Sequence, residues 1–541
     1  MAVADYFGVA LIFLCPGLLW TIVFSSWRTM RSIEVLAMSF GFSCIATPLV
    51  LAGGAWIGFV VPPWMLTLLS AVCGIVAGTF LVIQLLRGKG VSIEILKVGR
   101  EDAAALIVFA LHLGLVCFYF IKYPILDKIF LHDPVWHTST ALQIVESGGR
   151  TLLQTFEYPL ALHFTLSLVL RYLEGEPVMI VRSTLAAIES LTCIMVYIAG
   201  SRVLQNRLYG FFCSLTYAVI MPVGLIHLVR IGTYSNILAN LYTLYAIYVL
   251  ATAIKNPDLR SQLTLAVVGV ALAFTHFSSF IFISFVWVFL PIVYVFFRGI
   301  WRAYVISSLS LSLGLLSLLL FIPNLIYRIS FVLSGLYTVL LPSDAFFALL
   351  YFHVPFLGLM YAFVGLPNFA VLLGSCILLF KKFRESPWYA FIVSLFIYTS
   401  VLSLQSENVW RFALYAIFVG IFLVGYFLSK SMLSIYHWAS NLSPHAIINK
   451  INSRGILAIL ILGLITTGPT FRFVNDTVRD SMGSRQLAIY ASMKWAEENT
   501  SGNSSFLSVG ILEYIYLPVV ANRTFRGDYE IPPEDVYAVS E

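Results

Sequence analysis

Charge is what this chain has least of: Asp, Glu, Lys and Arg make up only 11% of its 541 residues. A water-soluble protein carries roughly a quarter, so a soluble globular fold is excluded. Cysteine is also sparse. All seven (Cys15, Cys44, Cys73, Cys117, Cys193, Cys213 and Cys376) fall inside apolar segments, so no disulfide framework or cysteine-based zinc site is implied. A Walker-type glycine loop, a G-x-G-x-x-G after a strand, H-E-x-x-H and G-x-S-x-G are all missing from credible contexts. Soluble-nucleotide chemistry therefore has no support. The first apolar segment, from Tyr6 to about Ser25, has no basic lead-in, and is expected to be a retained helix instead of a cleaved signal peptide.

What the chain has is hydrophobic length, with 60% apolar residues. Runs able to cross ~30 Å of hydrocarbon recur along it. Helices are expected near 5–25, 33–53, 63–86, 103–122, 178–200, 208–228, 234–254, 262–276, 278–298, 303–323, 357–380, 388–404, 410–429 and 455–471, about 14 in all. Seven alternate loops, including those with Arg28 and Arg31, Arg87 to Arg100, Arg202 and Arg207, and Lys255 and Arg260, hold 18 of the 32 Lys and Arg. By the positive-inside bias these loops face the cytoplasm. The N-terminus, the 123–177 segment and the 472–541 tail are then outside, and the net charge of +6 reflects topology instead of a nucleic-acid partner. This parity requires that 157–173 not be a span. It is only about 16 residues long and contains His163 and Arg171, which suits a helix lying in the outer interface. Four N-x-Ser/Thr sequons in the tail, at Asn475, Asn499, Asn503 and Asn522, agree with an extracytoplasmic location.

Ionisable groups at a membrane need a reason, and the outer segment supplies several. In His132-Asp133-Pro134-Val-Trp136-His137, Asp133 suits an N-cap and Pro134 the first helical position. Trp136, Ala141, Leu142 and Val145 are expected to form the apolar stripe of that helix, with Gly148-Gly149 ending it. Asp133 and His137 then lie one turn apart, with His132 adjacent. Asp133 reads either as a plain cap or as a general base or metal ligand. Elsewhere outside, Arg230 precedes a helix opened by Tyr234-Ser-Asn236, an arrangement that suits an anion. His276 interrupts a long apolar run. Arg411 either pairs with Glu407 four residues before it or holds a phosphate, and Arg182 suits an ion pair as well as a ligand.

These pieces resemble integral-membrane glycosyltransferases of the GT-C class, in particular the protein O-mannosyltransferase-like members. The likeness rests on Leu131-His-Asp133-Pro-Val-Trp-His137, on Glu157-Tyr158-Pro-Leu-Ala-Leu-His163, on Arg182 and Arg202-to-Gly210, on Trp410-Arg411-Phe-Ala-Leu-Tyr415, and on the tail stretch Ala491–Thr500 followed by Phe506-Leu-Ser-Val. There is no Trp-Trp-Asp motif, which argues against the oligosaccharyltransferase branch.

The resemblance implies an all-α polytopic GT-C-like fold. Its parts would be N-terminal spans over 1–122, an external acidic loop with interfacial helices over 123–177, a transmembrane core over 178–471 and a small extracytoplasmic α/β unit over 472–541. It implies a polyprenyl-phosphate sugar donor, a lipid, glycan or protein acceptor, and the bilayer itself as partners. Asp133 and His137 would be catalytic, and Arg411 and Arg230 would bind the donor phosphate. His132, Tyr158, His163, Tyr234, His276 and Glu407 would contact substrate. A divalent metal, Mg or Mn, would rest on Asp133 and His137 if present. A transporter or flippase of lipid-linked glycan is the competing class. It would show internal repeats with broken helices, and no repeat is evident.

Overall fold

The computed structural model describes residues 3–24, 30–86, 99–122, 133–155, 159–220, 223–225, 228, 233–255, 259–276, 279–280, 282–283, 376, 388–389, 392–393, 395–397, 399, 409–440, 495, 498–501, 505–508, 524–525 and 536–539. In hydrocarbon every backbone N–H and C=O must be paired within its own segment, and the apolar runs accordingly fold as helices. They are α1 (Val3–Phe24), α2 (Ser32–Trp56), α3 (Pro63–Leu86) and α4 (Arg100–Lys122), then the shorter α5 (Asp133–Ser147), α6 (Arg150–Thr155) and α7 (Ala161–Tyr172). Next come α8 (Pro177–Val203), α9 (Arg207–Leu215), a π-helical turn (Thr216–Ile220), the single turn α10 (Val223–Leu225), α11 (Tyr234–Lys255), α12 (Leu259–Thr275) and, later in the chain, α13 (Val409–Ser440).

Among the described residues, α1, α2, α3, α4, α8, α11 and α13 are long and apolar enough to cross a membrane. They match seven of the fourteen spans expected from the sequence, and α12, at 17 residues, is shorter. The expected spans at 278–298, 303–323, 357–380, 388–404 and 455–471 lie wholly or mostly outside the described residues.

The span expected over 208–228 is not one helix. It runs as α9, widens into the π turn at 216–220 and resumes briefly as α10. The sequence supplies a cause at Pro222, which has no N–H to give the carbonyl four residues back, that of Ala218. That carbonyl is met from another helix, by His112 Nδ1 of α4 at 3.0 Å.

Basic and acidic residues gather at one end of the bundle. Arg31, just before α2, binds Asp102 in the first turn of α4, Glu34 at 3.4 Å and the Tyr197 hydroxyl near the end of α8 at 2.8 Å. Arg202, also at the end of α8, donates to Thr252 near the end of α11 and lies over the Tyr248 ring. Helix ends that flank four of the loops assigned to one side by the charge bias thus meet at one end.

The other end holds α5, α6, α7 and the α2–α3 connection. Arg171 donates to the carbonyls of Val61 and Ile144, and Tyr172 donates to that of Pro63. At twelve residues, α7 is ~18 Å long and too short to span. It does not float with one wet face. Residues 161–169 are buried throughout, beneath α5 and against α1, α2, α3, α8, α11 and α12.

The closest crossing joins α1 to α2. Gly17 sits where an added Cβ would lie 1.7 Å from the Ser39 carbonyl oxygen, and its N–H donates to Ser43 Oγ at 2.8 Å. Small residues are what let helix backbones approach this closely. Beside them Trp20 stacks on Phe42, with centroids 4.2 Å apart.

Most of the tail, where a small α/β unit is expected, lies outside the described residues. Within it β1 (Ser505–Ser508) pairs in parallel with both β2 (Thr524–Phe525) and β3 (Val536–Val539), in the order β2-β1-β3.

Candidate functional site

Among the described residues α5 runs Asp133–Ser147, so Asp133 is its first helical residue, one position inside the expected N-cap, and Gly148 and Gly149 follow its end. Both glycines have left-handed backbones, at φ +74° and +82°, a conformation that costs a side-chain-bearing residue and ends helices. The inward face of α5 differs from the expected stripe. His137, Thr140, Ala141 and Ile144 are buried, whereas Trp136, Leu142 and Val145 are only half-buried. The i, i+3, i+4, i+7 rule holds, but its register is set by a histidine that turns inward.

That histidine meets a second one. His137 Nδ1 lies 2.8 Å from His163 Nε2 of α7, and both side chains are buried. The rings are 4.9 Å apart. Trp136 presents its edge to His163 at 5.3 Å, and Tyr234, the first residue of α11, stacks on His137 at 6.0 Å. Ser235, Asn236 and Thr138 are buried polar groups on the same two helices, α11 and α5. Three elements distant in sequence therefore converge on one imidazole pair.

Burial disfavours the charged imidazole. It pushes His137 down to about 3, and burial together with the neighbouring His137 holds His163 well below its ordinary value. Both rings are then neutral near pH 7, and one ring N–H is shared between Nδ1 and Nε2. The unfolded chain binds protons on these histidines below about 6.5, while the folded one does not. The pair's contribution to stability is thus full above pH ~6.5 and falls away as the pH drops toward 3. Thermal unfolding in lipid or detergent is expected to show a loss of up to about 1.4 kcal/mol per pH unit for each histidine below pH ~6.5. The slope should be shallower in His163→Gln. An equal slope in both proteins would mean that the pair does not titrate this way.

A second polar group lies on neighbouring elements. His276, just past α12, has Nδ1 2.9 Å from Ser279 Oγ, and that hydroxyl is 2.6 Å from the Tyr415 hydroxyl of α13. Phe164, beside His163 on α7, packs against Phe274 of α12 at 6.2 Å, which ties the two groups together. Arg411 precedes Tyr415 by one turn on α13.

Of the expected site residues, the structure thus brings together His137, His163 and Tyr234, and places His276 with Tyr415. Asp133 and Arg411 are fixed as backbone positions on α5 and α13, and their side chains lie outside the described set. His132, Tyr158, Arg230 and Glu407 also lie outside it. Arg182 is buried within α8. The pairing of His137 with His163 was not expected, although each was singled out alone. Their separation of 26 residues gives no periodic signal. For a divalent ion beside Asp133, His137 Nδ1 is already taken by His163. Among the described residues no three of His, Cys, Asp and Glu gather as a metal set.

No family model matches the chain, and no curated protein matches it. Similar solved structures exist. The apo oligosaccharyltransferase of Archaeoglobus fulgidus aligns at TM-score 0.47 and 14% identity, over 78% of this chain and 64% of that one. AglB of the same organism, in complex with an inhibitory peptide and a dolichol-phosphate, aligns at TM-score 0.46 and 13% identity with the same coverage. ArnT from Cupriavidus metallidurans, bound to undecaprenyl phosphate, aligns at TM-score 0.49 and 14% identity, over 79% of this chain and 86% of that one. The chain spans 64% of the length of the archaeal structures.

Proposed function

We propose that this chain is a membrane glycosyltransferase that moves a sugar from a polyprenyl-phosphate-linked donor to an acceptor on the extracytoplasmic side, with both termini on that side. The observation that carries this reading is the convergence of α5, α7 and α11 on His137, His163 and Tyr234, one helical turn from Asp133. The convergence lies at the bundle end opposite the Arg31 cluster, which the charge bias assigns to the cytoplasm. A donor with a long lipid tail stays in the bilayer, so its enzyme must meet the headgroup at the surface of the helices.

In this reading the acceptor oxygen attacks the anomeric carbon as the bond to the lipid phosphate breaks, and the configuration inverts. The acceptor's proton passes to the Asp133 carboxylate, and the bonding electron pair leaves with the phosphate. A carboxylate at a helix N-terminus faces the positive end of the helix dipole. When His163 Nε2–H donates to His137 Nδ1, His137 is left with an Nε2–H that can hold a carboxylate in place. His137 is then a positioning residue for Asp133, backed by His163. Arg411 receives the departing phosphate through its planar donors, and the His276–Ser279–Tyr415 cluster one turn along steadies its helix. Arg230 is the second phosphate ligand, and His132, Tyr158, Tyr234 and Glu407 complete the walls around sugar and acceptor.

The test is turnover by purified protein in lipid, offered a panel of polyprenyl-phosphate sugars and candidate acceptors, with free polyprenyl phosphate as the readout. Release that depends on acceptor supports the reading. Movement of donor between leaflets without release would replace it with the transporter.

A further inference from the structure

Away from that site, a carboxylate and an imidazole meet inside the membrane-spanning helices. Glu189 lies twelve residues into α8 and His112 twelve residues into α4, each ~18 Å from its helix start and so near mid-bilayer. Both are buried, at 0% and 1% exposure. His112 Nδ1 is 3.0 Å from the Ala218 carbonyl, and a carbonyl only accepts, so Nδ1 carries a hydrogen. The Tyr217 hydroxyl donates to Glu189 Oε2 at 2.8 Å. What remains is His112 Nε2 facing Glu189 Oε1 at 3.4 Å, and neither atom has another hydrogen-bond partner.

These assignments leave one consistent state. With no hydrogen between Nε2 and Oε1, two lone pairs would face each other and the pair would carry a net negative charge in the bilayer interior, where charge is costly. We propose that His112 and Glu189 form an intramembrane proton-binding site, holding one proton between Nε2 and Oε1, that braces the broken stretch from α9 to α10. The proton rests on either heavy atom, and the pair is neutral overall in both cases.

The surroundings fit a brace. Ala218 is the carbonyl to which Pro222 has no N–H to give, and Tyr217 sits in the same π turn. The Glu189 carboxyl occupies the slot that a side chain at Gly224 would fill, since an added Cβ there would fall 1.5 Å from Oε1. The other titratable groups set against it are Tyr217 and, one turn along α8, Cys193. From α13 the neighbour is Phe418, against the Tyr217 ring. The braced stretch precedes Arg230 and Tyr234 in the chain.

The test uses the full chain in lipid. Glu189→Gln keeps every contact without a titrating proton, because its amide donates to His112 Nε2 and its carbonyl accepts from Tyr217. Infrared difference spectra at neutral and mildly alkaline pH should show a buried carboxylic-acid carbonyl band that is absent from Glu189→Gln, and ¹⁵N-histidine spectra should show His112 as Nδ1–H with a bare Nε2. A carboxylate band together with a doubly protonated His112 also supports the site, with the proton on the ring. An ionised Glu189 beside a neutral His112 in wild type would overturn it. Should Glu189→Gln fail to fold, the wild-type spectra titrated in light and heavy water still decide between these outcomes.

Discussion

Asp133→Asn is expected to lower sugar transfer by about 10²- to 10⁴-fold, the usual span for loss of a general base, in a protein that still folds. The substitution suits the question because Asn and Asp cap helix N-termini about equally well, and Asp133 is where α5 begins. Its structural role is kept and only its basicity removed. The loss should fall on kcat, with donor binding little changed, since the phosphate contacts proposed for the donor lie elsewhere, at Arg411 and Arg230. Initial rates of polyprenyl-phosphate release across donor concentrations separate the two. Equal rates in wild type and variant would move the base away from α5 and leave Asp133 a cap. His137→Phe is the companion measurement. A positioning residue should give a smaller loss together with a shifted pH–rate profile.

The largest expected effect on stability comes from Gly17→Val. A Cβ at that position would sit 1.7 Å from the Ser39 backbone oxygen, and no rotamer relieves a clash between two helix backbones. α1 and α2 must move apart, which also breaks the Gly17 N–H to Ser43 bond and unseats the Trp20–Phe42 stack. The cost should exceed about 3 kcal/mol, the upper range for overpacked sites. Gly78→Ala is the control, since nothing lies within 4 Å of its added methyl. Removing a helical glycine there should gain about 0.5–1 kcal/mol. Thermal unfolding of the two variants in the same detergent should move in opposite directions, and a mild effect of Gly17→Val would show that the α1–α2 crossing is loose.

How much of this the sequence revealed depended on whether the signal was local. Hydrophobic length located α1 to α4, α8 and α11 within a few residues, and the start of α13 though not its end at Ser440, because backbone pairing in hydrocarbon leaves no alternative to a helix. Asp133-Pro134 and Gly148-Gly149 marked both ends of α5 for equally local reasons. The register of α5 was missed because its inward face is set by His163, 26 residues away, and a histidine does not count as apolar in a periodicity. The break over 208–228 was written in Pro222, but a run of apolar residues hides a single missing N–H. Glu189 and His112 went unremarked for a related reason. Each alone is one polar residue in a long span, and only the packing of α4 against α8 makes them a pair.

The burial of α7 has a consequence for how the protein is made. A twelve-residue segment cannot be left in the bilayer as a stop-transfer sequence, and it emerges from the ribosome before α8, α11 and α12 that wrap it. It can pack at once on α1, α2, α3 and α5, and the later helices complete its burial. His163 can meet His137 as soon as α5 and α7 are made, whereas Tyr234 joins them only with α11, so the convergence is completed late in biogenesis.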